Sequence, residues 1–371
     1  ETMKSRGLDG LRKNSQELIV TNSNFTKAEV LYKQTNSNIK RYFSEAKQQI
    51  TILPGFISKS EFNEVTTLGR GGSDFTAAIV AAALNVNLLE IWTDVSGMYT
   101  TNPKVVKQAF PIENLSYQEA MELSHFGAKV LYPPTVQPVL NLNIPIHIKN
   151  TLDPEAFGTK ISNDINEYSN AVKGISNINN IALLTLQGNG MVGIPGLSKR
   201  LFETLAQEKI NVIFITQASS EHSICFGIDI KDSNLAKKAI DIAFENEISL
   251  KKIDPIIVET DLSIIALVGD KMKSHQGISG KMFSTLGKNN INIRAIAQGA
   301  SERNISAVIA EKDVKKALNT LHERFFEVKT KQLNIFITGV GNVGERLVEQ
   351  IKQQRKYLKE QLKINMKEQD K

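Results

Sequence analysis

Residues 196–224 and 277–305 are two versions of one stretch. At a constant offset of 81 residues they share twelve identities: Gly196/Gly277, Ser198/Ser279, Phe202/Phe283, Thr204/Thr285, Leu205/Leu286, Ile210/Ile291, Asn211/Asn292, Ile215/Ile296, Gln217/Gln298, Ser220/Ser301, Glu221/Glu302 and Ile224/Ile305. Self-similarity at a fixed offset means that one supersecondary unit is built twice. Each copy opens on an apolar run, Ile181–Leu186 or Leu262–Val268. A helical stripe follows, with Leu197, Leu201, Phe202 and Leu205 in the first copy and Ile278, Met282, Phe283 and Leu286 in the second. Two further strands and a second helix (Asn234–Phe244, Val314–Phe325) give each unit the order βαββα. The shared apolar positions follow from packing. Gln217 and Gln298 are different, because each ends an apolar strand where an amide must find partners or stay in water. They are candidates for ligand contact, with neighbouring backbone as the alternative partner.

The first half has another texture. Helices alternate with buried strands, which indicates an α/β sandwich with a largely parallel sheet. Ile50–Ile57 reads as a central strand with Pro54-Gly55 inside it, and Leu88–Trp92 and Ile144–Ile148 as further strands. Asn36–Gln48 and Ser116–Phe126 read as helices, and Asp153–Asp164 as a linker. Between a β-branched run and the helix Phe75–Leu84 lies Thr66-Thr-Leu-Gly-Arg-Gly-Gly-Ser-Asp74. Three glycines in four residues permit positive φ and close backbone approach. Ser73 or Asp74 is expected to cap the helix, whose free N–H groups and positive end favour an anion. Arg70 adds a planar fork for a carboxylate or phosphate. A plain tight turn and a plain helix-cap aspartate remain open on the loop alone.

Composition excludes several classes. A length of 371 residues leaves room for two or three domains with a sizeable core. The longest apolar span, Thr76–Trp92, is interrupted by Asn85 and Asn87, so no membrane crossing is expected. The net charge of +6 owes much to Lys352, Arg355, Lys356, Lys359, Lys363, Lys367 and Lys371 near the C-terminus. Tyr357 is the lone aromatic among them, so the cluster reads as a solvated helix face and no nucleic-acid partner is expected. The histidines are scattered without metal-ligand spacing, and the single Cys225 suits a reducing cytoplasm.

After the glycine loop come Trp92-Thr-Asp-Val-Ser-Gly-Met-Tyr-Thr-Thr-Asn-Pro-Lys104 and then Phe126-Gly-Ala-Lys-Val-Leu-Tyr-Pro133. In this order the three strings resemble the C-terminal half of the aspartate kinase catalytic domain, an amino-acid-kinase (carbamate-kinase-like) αβα sandwich. The repeated unit resembles the ACT domain, a ferredoxin-like βαββαβ amino-acid-sensing module. The resemblance implies transfer of the γ-phosphoryl group of ATP, with Mg²⁺, to the β-carboxylate of L-aspartate. It implies catalytic roles for Arg70 and Asp74, with Arg70, Gly71, Gly72 and Ser73 holding aspartate and Asp74 organising the loop. Glu1 matches the glutamate of the family's Gly-Glu pair and is implied as a substrate contact. Thr93, Asp94, Tyr99, Lys104 and Lys129 are implied on the ATP side, while Trp92 reads as core packing. The loop lacks Gly-x-x-x-x-Gly-Lys-Ser/Thr, so the phosphates are not held by a P-loop. Asn211, Gln217, Asn292 and Gln298 are implied as contacts for threonine, an end-product inhibitor of amino-acid biosynthesis. Assembly as a dimer or tetramer through ACT domains is implied as well.

The chain closes on Leu333–Thr338, then Gly339-Val-Gly341-Asn-Val-Gly344 and a helix from Glu345, a dinucleotide fingerprint between strand and helix. Behind two ACT-like units, this order resembles the bifunctional aspartate kinase–homoserine dehydrogenases of the threonine-sensitive kind. Domains are expected at 1–160 (kinase), 171–330 (ACT units at about 171–258 and 259–330) and 332–371 (start of the dehydrogenase). NAD(P) would belong to the complete parent, since the second strand and its ribose-binding acid are not evident beyond a hint at Lys363–Met366. The family's Lys-Phe-Gly-Gly segment is absent, and Thr2–Lys13 is polar where the family has an apolar helix, as if residues were missing near 3–10. The chain by itself is therefore expected to show little or no kinase activity and no dehydrogenase activity. The alternative reading is a non-catalytic amino-acid-sensing ACT protein.

Overall fold

A computed structural model of the chain describes residues 2–125, 130–163, 170–191, 195–217, 222–299, 303–326, 331–335, 341–360 and 364–368. The first lobe runs α1 (Thr2–Ser5), β1 (Gly10–Arg12), β2 (Val20–Thr21), α2 (Tyr32–Glu45), β3 (Ile50–Ile52), β4 (Ile57–Ser60), β5 (Val65–Thr67) and α3 (Gly72–Leu84). It continues through β6 (Leu89–Thr93), β7 (Asn114–Leu115), α4 (Tyr117–His125), α5 (Pro133–Leu140), β8 (Ile146–Asn150) and β9 (Thr159–Ile161). Helix α3 is rich in alanine and apolar on more than one face, and it lies between two layers of core. Ala78 and Ala81 pack with Leu89, Ile91, Ile146 and Ile148, whereas Ile79 and Ala83 pack with Leu18, Ile19, Ile39 and Leu68. A helix apolar all round is one that packs on more than one side.

The strands of this lobe form three small sheets, β1–β3, β2–β4–β5 and β6–β8–β9–β7. Four pairings are parallel, while β4–β5 and β8–β9 are antiparallel. The expected central strand Ile50–Ile57 is split between β3 and β4. Pro54 has no N–H for a ladder, and Gly55 lies so close to α3 that a Cβ there would sit 2.7 Å from Ser73 Cα. The expected linker at 153–164 contains a strand, because Thr159 and Ile161 alternate as buried positions between β7 and β8.

The repeated region comprises β10 (Gly174–Gln187), α6 (Leu197–Gln207), β11 (Val212–Gln217), β12 (Ser223–Asp229), α7 (Ser233–Ala243), α8 (Glu245–Ser249), β13 (Ile257–Val268), α9 (Ile278–Lys288), β14 (Ile293–Gln298), β15 (Asn304–Ala310) and α10 (Val314–Phe326). The helical stripes face inward as the spacing requires: Leu197, Leu201 and Leu205 are buried in α6, and Ile278, Met282 and Leu286 in α9. The two units do not form two separate sheets. All six strands join in the order β11-β12-β10-β13-β15-β14. β10 and β13 run well beyond the apolar cores read from sequence, and each serves both units. Gly174–Ile178 pairs antiparallel with Ile264–Val268, while Ile257–Glu259 pairs back onto Leu183–Thr185. At the crossing points the register shifts, and Asn180 (φ 58°) and Asp261 (φ 56°) take left-handed backbone.

Residues 323–371 form a separate compact unit. It holds β16 (Lys331–Ile335), α11 (Asn342–Glu360) and β17 (Ile364–Glu368), and β16 and β17 pair in parallel from Lys331↔Ile364 to Ile335↔Glu368. This corrects the expectation that the second strand is missing. Ile364 and Met366 alternate with Asn365 and Lys367 at the strand period, a signal that the surrounding charge obscured. An acid, Glu368, also stands at the carboxyl end of that strand.

The bend at Asn180 is exposed, so substitution there isolates the backbone. Asn180→Val forces a β-branched residue into the left-handed region and is expected to lower stability by about 1–2 kcal/mol. Asn180→Gly should be at or near the parent value. Urea denaturation of both variants measures the difference.

Candidate active site

The helix after the glycine loop starts earlier than its sequence suggests, with its cap two residues before Ser73. Helix α3 begins at Gly72, with Gly71 (φ 70°) as its N-cap and no side-chain cap, so neither Ser73 nor Asp74 caps it. Glycine at 71 lets the backbone turn there, which leaves Ser73 and Asp74 in the first helical turn. Asp74 still complements the positive helix end from that place. The fit around the loop is close. A Cβ at Gly71 would lie 2.7 Å from Tyr132 Cβ, and one at Gly72 would lie 2.7 Å from Phe56 Cδ2.

Above the loop opens a pocket of about 480 Å³ that brings together Arg70, Gly71, Gly72, Ser73 and Asp74. Arg70 and Ser73 are exposed, while Asp74 is half-buried. Burial lifts the Asp74 carboxyl above its ordinary value of 3.8. Thr67 and Gly69 of the same loop also line the wall, together with Thr26 and Phe56, which sequence reasoning missed. Phe56 has φ 74° and Thr26 φ 68°, both costly for side chains of these kinds. Phe56 is pinned by its N–H donating to Thr76 Oγ1 at 3.0 Å and its carbonyl accepting from the Leu68 N–H at 3.0 Å. Its place directly after Pro54-Gly55 was the one available hint.

Of the residues expected on the nucleotide side, Thr93 ends β6 and Asp94, Tyr99 and Lys104 follow it in the chain. Thr93 Oγ1 donates to Asp94 Oδ1 at 3.2 Å. The chain then turns back, and Tyr99 bridges to Pro111. Lys104 is exposed on the intervening loop, where its N–H donates to Asn102 Oδ1 at 3.0 Å. Among the described residues no hydrogen bond or ion pair joins this group to Arg70–Asp74. Trp92 is not core, as it is 47% exposed with Nε1–H donating to Glu90 at 3.1 Å and the Lys149 ammonium 5.4 Å from the ring centre. It lies on an edge strand at alternate register to buried Ile91, which turns it outward. Glu1 and Lys129 lie outside the described residues.

In the paired units, Gln217 and Gln298 end β11 and β14 and are exposed. Gln298 Oε1 accepts from Ser279 Oγ at 3.1 Å, in the first turn of α9. Asn211 and Asn292 precede the same strands, so each stands about 20 Å from its glutamine at the usual rise per residue. Within one copy of the unit, no single small ligand bridges the pair. Residues 218–221 and 300–302, which continue the polar corner, lie outside the described residues. Gly341 precedes α11 and Gly344 lies within it, while Gly339 lies outside the described residues. Among the described residues no cluster of three or more His, Cys, Asp or Glu is placed to hold a metal ion, and no helix is long and apolar enough to cross a membrane.

Fold and cleft together define an amino acid kinase lobe carrying paired ACT modules. The amino acid kinase family matches residues 2–150, and the ACT domain matches residues 184–244 and 265–325. The chain is 45% identical over 313 residues to the bifunctional aspartokinase/homoserine dehydrogenase of Haemophilus influenzae, covering 84% of this chain and 38% of that protein. It is 39% identical over 372 residues to the chloroplastic bifunctional aspartokinase/homoserine dehydrogenase 1 of Arabidopsis thaliana, covering 98% and 40%. Its structure is similar to that of E. coli aspartokinase III crystallised with aspartate and ADP. The TM-score is 0.73 at 30% identity, covering 88% of this chain and 72% of that one. The chain belongs to the aspartokinase family. It spans about two fifths of the length of the bifunctional relatives it matches.

The raised pKa of Asp74 has a checkable sign. A carboxyl whose folded pKa lies above its unfolded value favours the fold below the unfolded value, and that contribution is lost as pH rises through the folded one. Asp74→Asn is therefore expected to raise the melting temperature at pH 7, with the gap closing as pH falls towards 3.8. Thermal melts across that window read the effect.

Proposed function

We propose that the protein containing this chain transfers the γ-phosphoryl group of ATP to the β-carboxylate of L-aspartate. The observation that carries the reading is the strained glycine-loop pocket, which gathers a guanidinium, a helix N-terminus and a half-buried carboxyl in one cleft. Phosphoryl transfer asks a protein mainly to position two anionic partners and offset charge as it develops. Arg70 would grip a substrate carboxylate through paired N–H donors, and Ser73 and the free N–H groups of the first turn of α3 would complete its hydrogen bonds. Asp74 would hold the loop in register. On the nucleotide side we assign Thr93, Asp94, Tyr99, Lys104 and Lys129, with the lysines acting as point charges on phosphate. Mg²⁺ supplied with ATP would be held largely by the phosphates and water, as its preference for few protein ligands allows.

On this reading residues 1–160 are the kinase part, 171–330 the regulatory part, and 332–371 the start of a homoserine dehydrogenase. The βαβ unit of β16, α11 and β17 suits NAD(P), with Gly339, Gly341 and Gly344 at its turn. We assign threonine as the inhibitor, contacted by Gln217 and Gln298. We also assign homo-oligomer assembly through the ACT edge strands, where the repeat-related Ile215 and Ile296 are exposed. A single Cys225 suits a reducing compartment, such as the cytoplasm.

In the full-length protein, Arg70→Ala should remove charged hydrogen bonds worth roughly 1.5–3 kcal/mol, lowering kcat/KM for aspartate about 10- to 150-fold. An unchanged aspartate dependence would exclude the role. By calorimetry, threonine should bind while lysine does not, and Gln217→Ala and Gln298→Ala should each weaken threonine binding. Binding of lysine in place of threonine would overturn the effector assignment.

A further inference from the structure

The repeat makes one departure from symmetry informative. At the 81-residue offset, Asp241 on α7 corresponds to His322 on α10. In the first module Asp241 Oδ1 accepts from the Ile256 N–H at 3.0 Å, fastening the helix to the strand that closes the module. The strand register makes Ile175 the counterpart of Ile256. Ile257 pairs with Thr185 in one module and Ser176 with Ala266 in the other, and 185 and 266 are repeat partners. In the second module a residue of the catalytic lobe stands between helix and strand. The Ile175 N–H donates to the Thr100 carbonyl at 2.7 Å, and Thr100 Oγ1 lies 2.9 Å from His322 Nε2.

Thr100 is buried at the base of the nucleotide-side loop. Its N–H donates to the Phe110 carbonyl at 3.0 Å, and the Phe110 N–H donates to Thr100 Oγ1 at 3.3 Å. Tyr99 precedes it and Lys104 projects from the loop that these bonds close. His322 is 2% exposed and packs edge-on against Phe110, with ring centres 6.0 Å apart. Burial holds its pKa below the ordinary histidine range, which favours the neutral ring as partner for a hydroxyl.

We propose that His322 is a positioning residue for the nucleotide: through Thr100 it sets the Tyr99–Lys104 segment, so that the second ACT module governs ATP affinity. The inference rests on the aspartate kinase reading above. It is tested in the full-length protein by steady-state kinetics with ATP and aspartate varied separately. Loss of one neutral buried hydrogen bond predicts a rise of roughly 2- to 10-fold in the KM for ATP in His322→Ala and Thr100→Val. The KM for aspartate should stay unchanged. The double variant should be no worse than the worse single one, because the two residues act as one unit. Thr100→Ser should restore the parent value, and Thr100→Val and Thr100→Ser carry the test if His322→Ala fails to fold. An unshifted KM for ATP, or equal rises for both substrates, overturns the inference and leaves the kinase reading standing. Absence of ATP-dependent aspartate phosphorylation in the parent protein overturns both.

Discussion

The antiparallel pairing of β10 with β13 is the constraint on which the rest of the molecule depends. Each strand spends one half in its own module and the other half closing its neighbour's, so neither module is complete without the other. The apolar residues at the crossing, among them Ile181, Ile264, Leu267 and Val268, are fully buried or nearly so. Separating the modules would expose all of that surface, and apolar burial is the main favourable term in folding. The half of β10 that closes the second module is also the segment that follows the first lobe. The sheet therefore cannot form in its final register without fixing where that lobe is held.

The hold is polar as well as apolar. Ser116 and Glu119 form a capping box at the start of α4, with the Ser116 N–H donating to Glu119 Oε2 at 2.9 Å and the Glu119 N–H donating to Ser116 Oγ at 3.0 Å. Such a box normally serves its own helix. Here the other Glu119 oxygen accepts from the Asp270 N–H at 3.0 Å, and Ser116 Oγ donates to the Asp270 carboxylate, so the cap reaches the second ACT module. Glu119 is 2% exposed, and a carboxylate buried to that degree is tolerable only with such partners. Arg303 approaches Asp270 at 3.3 Å. Lys173, nearby, is pushed below its ordinary pKa by burial, with Glu119 and Asp270 pulling the other way. Asn304 donates to Glu122 at 2.8 Å one turn further along α4.

Strain in the cleft and rigidity behind it are two sides of one design. Thr26, Phe56, Gly69 and Gly71 all take positive φ around the pocket. Two of these are residues for which that conformation is costly, and it persists because fixed neighbours over-determine it. Thr76 Oγ1, for example, both accepts from the Phe56 N–H and donates to the Gly72 carbonyl at 2.7 Å. A pocket preorganised in this way keeps its donors aimed without reorganisation when a charged group arrives.

The amino-acid sequence by itself determined the repeated unit, the buried stripes of α6 and α9, the glycine loop and the family resemblance carried by three strings. Those features are local: a helical period, a glycine's freedom and an ordered string of residues can be read without knowing what lies opposite. Element ends were less legible. The α3 cap moved to Gly71, β10 and β13 outran their apolar cores, and β17 was hidden among charges, because pairing partners rather than composition decide where a strand stops. What only the tertiary structure decided was partnership between distant segments: Phe56 against Gly72, Asp270 on the α4 cap, and Thr100 between Ile175 and His322. Such contacts join residues up to 222 positions apart and leave no periodic trace, since each depends on the path of the backbone between them.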